Sequence, residues 1–265
     1  MNILVYINSS NHLAKSALEA VTYAQKIGGT ITVVATGSVA DETLGTLGEY
    51  GAQKVLVDRS VATEDSQQVT RLIAKAAEAT GAELIVFSHD LVAKAVAPRL
   101  SVRLRAGLIS GAVDVPNANG QVKVNVFSGK AFGFVSVKSA KKIISLLPNS
   151  FQPEKTGAAC AVEAFDGAAG SAVIKVIETK MPEGEIPLPE AELVVSAGRG
   201  LKGPENWGIV EDLAKALSCN SLFPSGCRYR LETSPRTRGT NRGCHPSEPV
   251  HCSRYFRSDP APGRC

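Results

Sequence analysis

The sequence predicts an α/β protein with a mostly parallel sheet, and two patterns along the chain lead to that prediction. In the first half, short apolar runs typical of buried strands alternate with amphipathic helical patterns. Repeated βα units imply parallel strands with helices on both faces of the sheet, as in Rossmann-like domains. From Leu108 onward the helical patterns give way to closely spaced strands, which predicts an antiparallel extension of the same domain.

Four strands and the helices between them are predicted in the first half. The strand-like runs are Ile3–Ile7, Ile31–Ala35, Lys54–Val57 and Leu84–Ser88. Helical patterns cover Leu13–Ile27 and Ser66–Thr80, and the second of these places its apolar residues on one face. Glycines follow both patterns, as is usual at the C-termini of helices.

The predicted extension consists of short strands separated by turns. The strands are Gln121–Phe127, Phe132–Val137, Lys141–Leu147 and Ser171–Ile177. Residues 116–120, Pro-Asn-Ala-Asn-Gly, are a turn signal ahead of the first of them. We therefore assign residues 1–180 to one N-terminal α/β domain.

A second domain is predicted to begin after residue 190. Residues 181–190 are assigned to a linker, because three prolines occur within residues 181–189. Glu192–Ala197 has the pattern of a buried strand, and Glu205–Leu217 that of a helix. Residues 191–217 are thus the truncated start of a doubly wound domain. One βα unit cannot bury its apolar faces alone, so we expect this segment to be loosely held.

The tail formed by residues 218–265 differs in composition from the rest of the chain. It contains eight Arg, no Lys, three acidic residues and five of the six Cys. The preceding residues carry 21 basic and 22 acidic side chains, so the net charge of +4 comes from the tail. Because the tail has no helical or strand periodicity, we expect it to be disordered.

The strongest local motif lies between the predicted strand and helix of the second domain. Residues 198–203, Gly-Arg-Gly-Leu-Lys-Gly, have the G-x-G-x-x-G spacing of a dinucleotide-binding turn. Glycines let a phosphate approach the backbone, a helix N-terminus offers free N–H groups, and Arg199 and Lys202 add positive charge. The competing interpretation is a glycine-rich turn without a ligand, and the spacing alone does not decide between the two.

Polar residues also follow two predicted strands of the first domain. His89-Asp90 follows Leu84–Ser88, and Asp58-Arg59 follows Val57, at the edge where open α/β sheets bind ligands. Residues at such positions are more often loop residues than catalysts. No Ser/His/Asp set, carboxylate pair or Walker A sequence stands out before residue 218, so no independent active site is predicted.

The cysteines, histidines and arginines of the tail do not form a recognisable binding module. The tail lacks a C-x₂₋₄-C pair, and Cys244-His245 and His251-Cys252 run in opposite order, so no metal site is predicted. Its eight Arg occur without aromatic spacing, so nucleic-acid binding is not predicted either.

The sequence predicts neither a membrane span nor a signal peptide. No apolar run approaches the ~20 residues that a spanning helix needs. The N-terminus lacks a basic region and begins directly with a strand pattern. We therefore expect a cytoplasmic protein.

Several segments of residues 1–217 resemble one known family, the electron transfer flavoprotein alpha subunits. The most specific is residues 193–202, Leu-Val-Val-Ser-Ala-Gly-Arg-Gly-Leu-Lys, followed by Pro-Glu-Asn at 204–206, which resembles the start of the family's flavin domain. Residues 103–108, 127–131 and 147–151 are similar to the family's L-x-A-G-L, Y-x-G-K-A and R-P-N-x-F segments, with Leu147 in place of the usual Arg.

The resemblance implies an electron carrier rather than a catalyst with an active site of its own. It implies a heterodimer with a beta subunit and FAD bound to the second alpha domain. This flavin accepts electrons from dehydrogenases, such as acyl-CoA dehydrogenases, and passes them onward. Arg199 matches the family's flavin-contacting Arg, and Gly198, Gly200 and Leu201 lie beside it in the same turn.

The tail does not contain the family's later flavin-binding segments. A shifted reading frame of the same gene segment can encode them. With free choice among synonymous codons, residues 231–243 can be read as W-R-P-H-H-E-H-V-G-Q-T-G-V, and residues 250–261 as Y-I-A-V-G-I-S-G-A-I-Q-H. We hypothesise a one-nucleotide insertion or a two-nucleotide deletion near the codon of Leu217. The chain as written is then expected not to bind FAD stoichiometrically.

Two other interpretations stay open. The βα pattern of the first half also suggests a universal-stress-like nucleotide-binding module, although the chain lacks that module's G-x-x-G run followed by Gly-Ser/Thr. Alternatively, the first domain is redox-silent and only docks the beta subunit.

Overall fold

The structure is a computed structural model of the 265-residue chain. It describes residues 1–9, 13–61, 65–127, 129–167, 170–172, 174, 177, 194–196, 206–217 and 220–222. The chain divides into two compact units, Met1–Lys180 and Met181–Cys265, and each is described by itself.

The first unit is organised around a nine-stranded sheet. In chain order the strands are β1 (Asn2–Ser9), β2 (Thr30–Gly37), β3 (Lys54–Asp58), β4 (Leu84–Ser88), β5 (Gly107–Ala112), β6 (Gln121–Val126), β7 (Ala131–Ser136), β8 (Lys142–Leu146) and β9 (Ala161–Ala164). Their order across the sheet is β7-β6-β5-β8-β4-β1-β2-β3-β9. Across the sheet, every pairing in the series β5-β8-β4-β1-β2-β3-β9 is parallel. The pairs β5–β6 and β6–β7 are antiparallel. The predicted fold class, a parallel α/β sheet with an antiparallel extension, is confirmed.

Helices cover both faces of the parallel part of this sheet. They are α1 (Lys15–Ile27), α2 (Asp41–Gly45), α3 (Ser66–Ala79) and α4 (Leu91–Leu104), and a 3-10 helix spans Thr46–Tyr50. The alternation along β1 separates two cores: Ile3 and Val5 pack with α1, while Leu4 and Tyr6 pack with α3 and α4. A strand buried on both faces needs apolar residues at successive positions, which explains the continuous apolar run at the start of the chain.

Two of these helices begin at aspartates that cap them. Asp65 accepts hydrogen bonds from the backbone N–H groups of Gln67 (2.9 Å) and Gln68 (3.4 Å), and Asp90 accepts one from Ala93 (2.7 Å). Each bond satisfies a donor of the first turn that has no partner inside the helix. The capping aspartates therefore place the N-termini of α3 and α4.

The sequence predicts most elements of the first unit to within a few residues at their ends, and two of its predictions are wrong. Lys141–Leu147 is not part of the antiparallel extension, because β8 lies parallel between β4 and β5. The described residues of the predicted strand Ser171–Ile177 are not in a strand. A short apolar run carries no information about its neighbours in the sheet, so the return of the chain into the gap between β4 and β5 leaves no local signal.

The described part of the second unit is a small βαβ unit. The strands β10 (Val194–Ser196) and β11 (Asn220–Leu222) pair in parallel, and α5 (Gly208–Ala216) connects them along the chain. The β10 strand and the α5 helix lie within their predicted ranges, whereas β11 lies in the tail, where the sequence predicts no element. The predicted linker and most of the tail lie outside the described residues.

Candidate functional site

The predicted glycine-rich turn lies outside the described residues. Gly198, Arg199, Gly200 and Leu201 belong to residues 197–205, whose placement is not described, so their role as flavin ligands stays a prediction. Along the chain they follow β10 and precede α5. A loop between a strand and the helix of a βαβ unit is where doubly wound folds bind phosphates, and the described elements on either side agree with that order.

His89 joins three neighbouring strands at the carboxyl edge of the first unit's sheet. Its Nδ1 lies 2.9 Å from Ser145 Oγ on β8, and its backbone N–H donates to Leu146 O at 2.8 Å. Ser145 Oγ also accepts from the N–H of Gly111, which lies at a bulge in β5 with φ of 73°. His89 therefore links the ends of β4, β8 and β5, and this structural role accounts for its position.

The pKa of His89 lies below its ordinary value of 6.5. Burial disfavours the charged imidazolium, and the neighbouring Lys94 adds like-charge repulsion. The environment of the ring therefore favours its neutral form in the folded protein. Burial also raises the pKa of the Asp90 carboxyl. The hydrogen bond from Ala93 lowers this pKa, but by less than burial raises it.

Ser88 is the one buried side chain among the described residues whose polar atom has no hydrogen-bond partner. It ends β4 directly before His89. A single buried hydroxyl without an acceptor or donor is a small cost to the fold and does not constitute a catalytic set.

Asp58 closes a turn beside an open cleft at the other side of the same sheet. Its Oδ1 accepts from the N–H (2.9 Å) and the hydroxyl (2.6 Å) of Ser60, and its Oδ2 accepts from the N–H of Gly167 (2.9 Å). The cleft has a volume of about 540 Å³ and is also lined by Arg59 and Phe165. Because both carboxylate oxygens are engaged within the fold, Asp58 stabilises the turn rather than presenting a free base.

Arg59 is also engaged within the protein. Its guanidinium donates to Val39 O at 3.1 Å and pairs with Asp41 at 2.6 Å. The pair is half exposed or more, so it contributes little to stability. Neither of the two polar pairs that the sequence singles out in the first unit is therefore arranged as a reactive site.

The segment at residues 147–151, which carries part of the family resemblance, forms a structural turn. Asn149 has φ of 60°, in the left-handed region that Asn tolerates better than most residues. Its N–H donates to the carboxylate of Glu19, a buried residue of α1, at 2.8 Å. Phe151 packs edge-on against Tyr23, with ring centroids 5.2 Å apart. The motif thus docks the loop after β8 onto α1.

Glu19 is a buried carboxylate that the sequence does not single out. Burial raises its pKa above 4.5, while the hydrogen bond from Asn149 and the charge of Lys15 lower it. Glu19 and Asn149 are 130 residues apart along the chain, so no local sequence pattern indicates their contact.

The segment at residues 103–108 forms the turn between α4 and β5. Arg105 ends the helix with φ of 50°, and Ser101 Oγ donates to Ala106 O at 2.6 Å. A Cβ at Gly107 would collide with Val137, so the position requires glycine. The family's Gly in this segment is explained by close packing, not by ligand binding.

The segment at residues 127–131 forms the turn of the β6–β7 hairpin. Phe127 and Gly129 both have positive φ, 51° and 83°. The N–H of Gly129 donates to Val126 O and that of Lys130 to Phe127 O, each at 3.2 Å. This segment too serves the fold.

The described residues hold no group of three or more side chains that could bind a metal ion. The tail's cysteines and histidines lie outside them. In the same described part, no helix is long and apolar enough to cross a membrane.

Comparisons with known proteins identify relatives for most of the first unit and part of the second. Residues 3–177 match the family described as the electron transfer flavoprotein domain. The chain is 30% identical over 188 residues to the electron transfer flavoprotein subunit alpha of Bacillus subtilis, a match that covers 68% of this chain and 56% of the relative.

Two further relatives extend the match. The probable mitochondrial electron transfer flavoprotein subunit alpha of Caenorhabditis elegans is 28% identical over 224 residues, covering 81% of this chain and 66% of the relative. The electron transfer flavoprotein subunit alpha of Syntrophomonas wolfei is 28% identical over 214 residues, covering 78% and 67%. The chain thus spans between half and about two thirds of the length of the relatives that it matches.

Proposed function

The chain belongs to the electron transfer flavoprotein family, and from that premise we propose that it is an alpha-type subunit that pairs with a beta subunit. In the intact form of such a subunit, FAD on the second domain takes electrons from dehydrogenases such as acyl-CoA dehydrogenases. We further propose that the chain as written lacks most of that flavin site.

The observation that carries the proposal is the match of residues 3–177 to the family, across the whole sheet of the first unit. The three family-like segments of that unit, at residues 103–108, 127–131 and 147–151, each lie at a turn of the scaffold. A chain that keeps these turns keeps the family's scaffold. The function therefore depends on what the second unit supplies.

The described residues of the second unit do not include the predicted flavin ligands. They form two strands of three residues and one helix of nine. On that helix Ile209, Leu213 and Leu217 are 78%, 49% and 48% exposed. The proposed loss of the flavin site therefore rests on the sequence of the tail.

The reading-frame hypothesis accounts for the absence of the family's later flavin-binding segments from residues 218–265. If the hypothesis is correct, the codons after that of Leu217 must be the synonymous ones whose shifted frame encodes the family's segments. Resequencing of the gene across that codon tests the hypothesis directly. A nucleotide sequence that is incompatible with those codons would reject it.

The decisive experiment for function is co-expression of the chain with a beta subunit, followed by measurement of bound flavin by absorbance. We expect a heterodimer with far less than one FAD per pair. The matched control is the same gene restored to the shifted frame after Leu217, for which we expect one FAD per heterodimer. One flavin per heterodimer for the chain as written would refute the proposal.

The same experiment separates the remaining interpretations. Co-purification of the beta subunit without flavin supports a redox-silent docking role for the first unit. Binding of a nucleotide to the first unit without any beta subunit supports the universal-stress-like interpretation instead. In the structure, Asp58 and His89 at the carboxyl edge are already hydrogen-bonded within the protein, which does not favour that second interpretation.

A further inference from the structure

A groove between α3 and α4 is lined by three arginines. Its volume is about 320 Å³, at the lower end of the range for small-molecule sites. Each helix contributes residues at the spacing i, i+3 and i+4, which lie on one side of a helix. The described lining residues are Gln67, Thr70 and Arg71 of α3 and Arg99, Val102 and Arg103 of α4. None of these six side chains is acidic.

The two arginines of α4 lie one helical turn apart, and both are exposed. The guanidinium of Arg99 donates a hydrogen bond to Ser66 Oγ at the start of α3, which holds it beside the neighbouring helix. Arg103 forms no ion pair or hydrogen bond within the described part of the chain. Neither guanidinium is therefore neutralised by a described carboxylate.

Arg71 on α3 is positioned by the loop that follows β9. The side chain is half-buried, and a Cβ at Gly170 would lie only 2.9 Å from its Nη1. The Nε2 of Gln68 donates to Gly170 O at 2.7 Å and ties the same loop to α3. A guanidinium that the fold already holds loses less conformational entropy when an anion binds.

The two helices carry an excess of basic side chains. Five of the six charged residues within them are basic, namely Arg71, Lys75, Lys94, Arg99 and Arg103, and the sixth is Glu78. By contrast, the charged residues of α1 and α2, which pack in the core on the other face of the sheet, are Lys15, Glu19, Lys26, Asp41 and Glu42. The positive potential that attracts anions is thus concentrated at α3 and α4.

The described carboxylates around the groove are not among its lining residues. Asp65 and Asp90 cap the two helices by accepting hydrogen bonds from backbone N–H groups. Asp166 lies beside Lys75, whose Nζ donates to its backbone O at 2.8 Å, and it lines the cleft next to Asp58 instead. Glu64 lies outside the described residues.

The charge and the acceptor geometry of a phosphomonoester match this set of donors. A carboxylate carries one charge and two oxygens, which suit one guanidinium. A phosphomonoester carries a charge of about −1.5 to −2 at neutral pH and three acceptor oxygens, so several guanidinium groups can share it. The hydroxyl of Thr70 donates to Ser66 O at 2.6 Å, which leaves the amide of Gln67 as the neutral donor of the groove.

The surface around the groove favours a soluble ligand over a membrane. On α3 and α4 the exposed large apolar side chains are Leu91 and Val102, at 58% and 81%. A helix that lies on a membrane presents a whole apolar face instead. The small volume of the groove agrees with a small ligand.

We propose that the groove between α3 and α4 binds the phosphate group of a small soluble phosphomonoester. Arg71, Arg99 and Arg103 are its charged ligands, and Gln67 adds a hydrogen bond. All of these residues belong to the first unit, and none requires a beta subunit or a flavin. The inference therefore goes beyond the proposed function and does not depend on it.

The test is the affinity of the full chain for glycerol phosphate, measured by titration calorimetry and by phosphorus NMR. We expect a Kd below about 1 mM at about 0.1 M salt. The double substitution Arg99→Gln, Arg103→Gln should weaken binding about tenfold or more, because two charge-assisted contacts are lost. Arg103→Gln alone, which removes no contact within the described residues, should weaken it about threefold or more.

The matched control is the double substitution Arg236→Gln, Arg238→Gln in the tail. It removes the same charge from the chain and tests whether the tail's arginines bind the probe. We expect the control to leave the affinity within about twofold. Thermal unfolding of each variant shows whether the fold is kept, which matters for Arg99 because of its bond to Ser66.

Three outcomes would overturn the inference. The first is that the unchanged chain does not bind glycerol phosphate with a Kd below about 1 mM. The second is that the tail variant loses as much affinity as the groove variant. The third is that vesicles of phosphatidylglycerol bind the chain through Arg99 and Arg103 while glycerol phosphate does not compete, which would assign the groove to a lipid headgroup. Formation of the heterodimer is measured separately, so failure here leaves the proposed function standing.

Discussion

The first unit of this protein and the described part of the second differ in how far their helices are buried. In the first unit, helices cover both faces of the parallel part of the sheet, and side chains such as Leu72 are fully buried. In the described part of the second unit, β10, α5 and β11 form in the same strand-helix-strand order, yet Ile209, Leu213 and Leu217 on α5 are exposed. Local sequence pattern suffices to form an element, whereas stability requires the neighbours that bury it.

The family match and the predicted flavin ligands lie in different units. Residues 3–177 of the first unit match the electron transfer flavoprotein domain, whereas Gly198, Arg199, Gly200 and Leu201 belong to the second. Substitutions that probe burial in the two units test the comparison.

Removal of a buried side chain from α3 is expected to have the largest effect. Leu72→Ala should lower the free energy of unfolding by about 2–5 kcal/mol, because Leu72 is fully buried and a cavity remains. The matched change Leu213→Ala on α5 should alter it by less than about 0.5 kcal/mol, since half of that side chain is exposed. Chemical denaturation monitored by circular dichroism measures both. Equal losses would break the comparison, because α5 would then have to be packed as tightly as α3.

The packing around the turn between α4 and β5 is expected to tolerate no added methyl group. Gly107→Ala places a Cβ against Val137 and should cost about 1–3 kcal/mol. Gly133→Ala is the matched control, because its Cβ would lie 3.6 Å from the nearest atom, a side-chain carbon of Val124, and should be nearly neutral. The melting temperatures of the two variants distinguish them. A neutral Gly107→Ala would show that this turn is less tightly packed than the structure indicates.

The cap of α3 is expected to contribute a smaller amount. Asp65→Ala removes the acceptor for the N–H groups of Gln67 and Gln68 and should cost about 1–2 kcal/mol. Asp65→Asn keeps an acceptor oxygen and should recover most of the loss. By contrast, α5 begins at Trp207 without a side-chain cap. If Asp65→Ala and Asp65→Asn are equally destabilised, the capping bonds are not the cause.

The half-buried His89 is expected to produce the smallest effect, a dependence of stability on pH. Its pKa is lowered in the folded protein, so its contribution to stability is complete above its ordinary value of 6.5 and is lost as the pH falls through the folded pKa. Comparison of unfolding free energies at about pH 7.5 and about pH 5.5 should show a loss that His89→Gln reduces.

Two carboxyl groups act on the pH dependence in the opposite direction. The raised pKa values of Glu19 and Asp90 favour their protonated forms in the folded protein, so their contribution grows as the pH falls. The difference between the unchanged chain and His89→Gln cancels this background. An unchanged pH dependence in His89→Gln would assign the loss to other groups.

Much of the first unit follows from local patterns in the sequence. The runs around Val5, Val33 and Val86 are buried on both faces, and only a strand inside a parallel sheet accepts such a run. Ser66–Thr80 has the period of a helix and is α3, which ends at Ala79. The family resemblance adds three turns, in which Gly107 is required by packing against Val137, and Gly129 and Asn149 have positive φ.

Other features leave no local trace in the sequence. The parallel position of β8 between β4 and β5 depends on where the chain returns after the hairpin. The links from His89 to Ser145 and from Glu19 to Asn149 join residues 56 and 130 positions apart. The exposure of Phe132 and Phe134 is likewise not evident from the strand pattern itself.

The α/β class, the strands buried on both faces and the membership of a family thus follow from periodicity and short motifs, which are properties of neighbouring residues. The order of strands in the sheet, the structural roles of Asp58 and His89, and the exposure of the aromatic side chains of β7 follow only from the folded structure. These depend on contacts between residues that are far apart in the chain, whose formation is governed by packing and hydrogen-bond satisfaction across the whole unit.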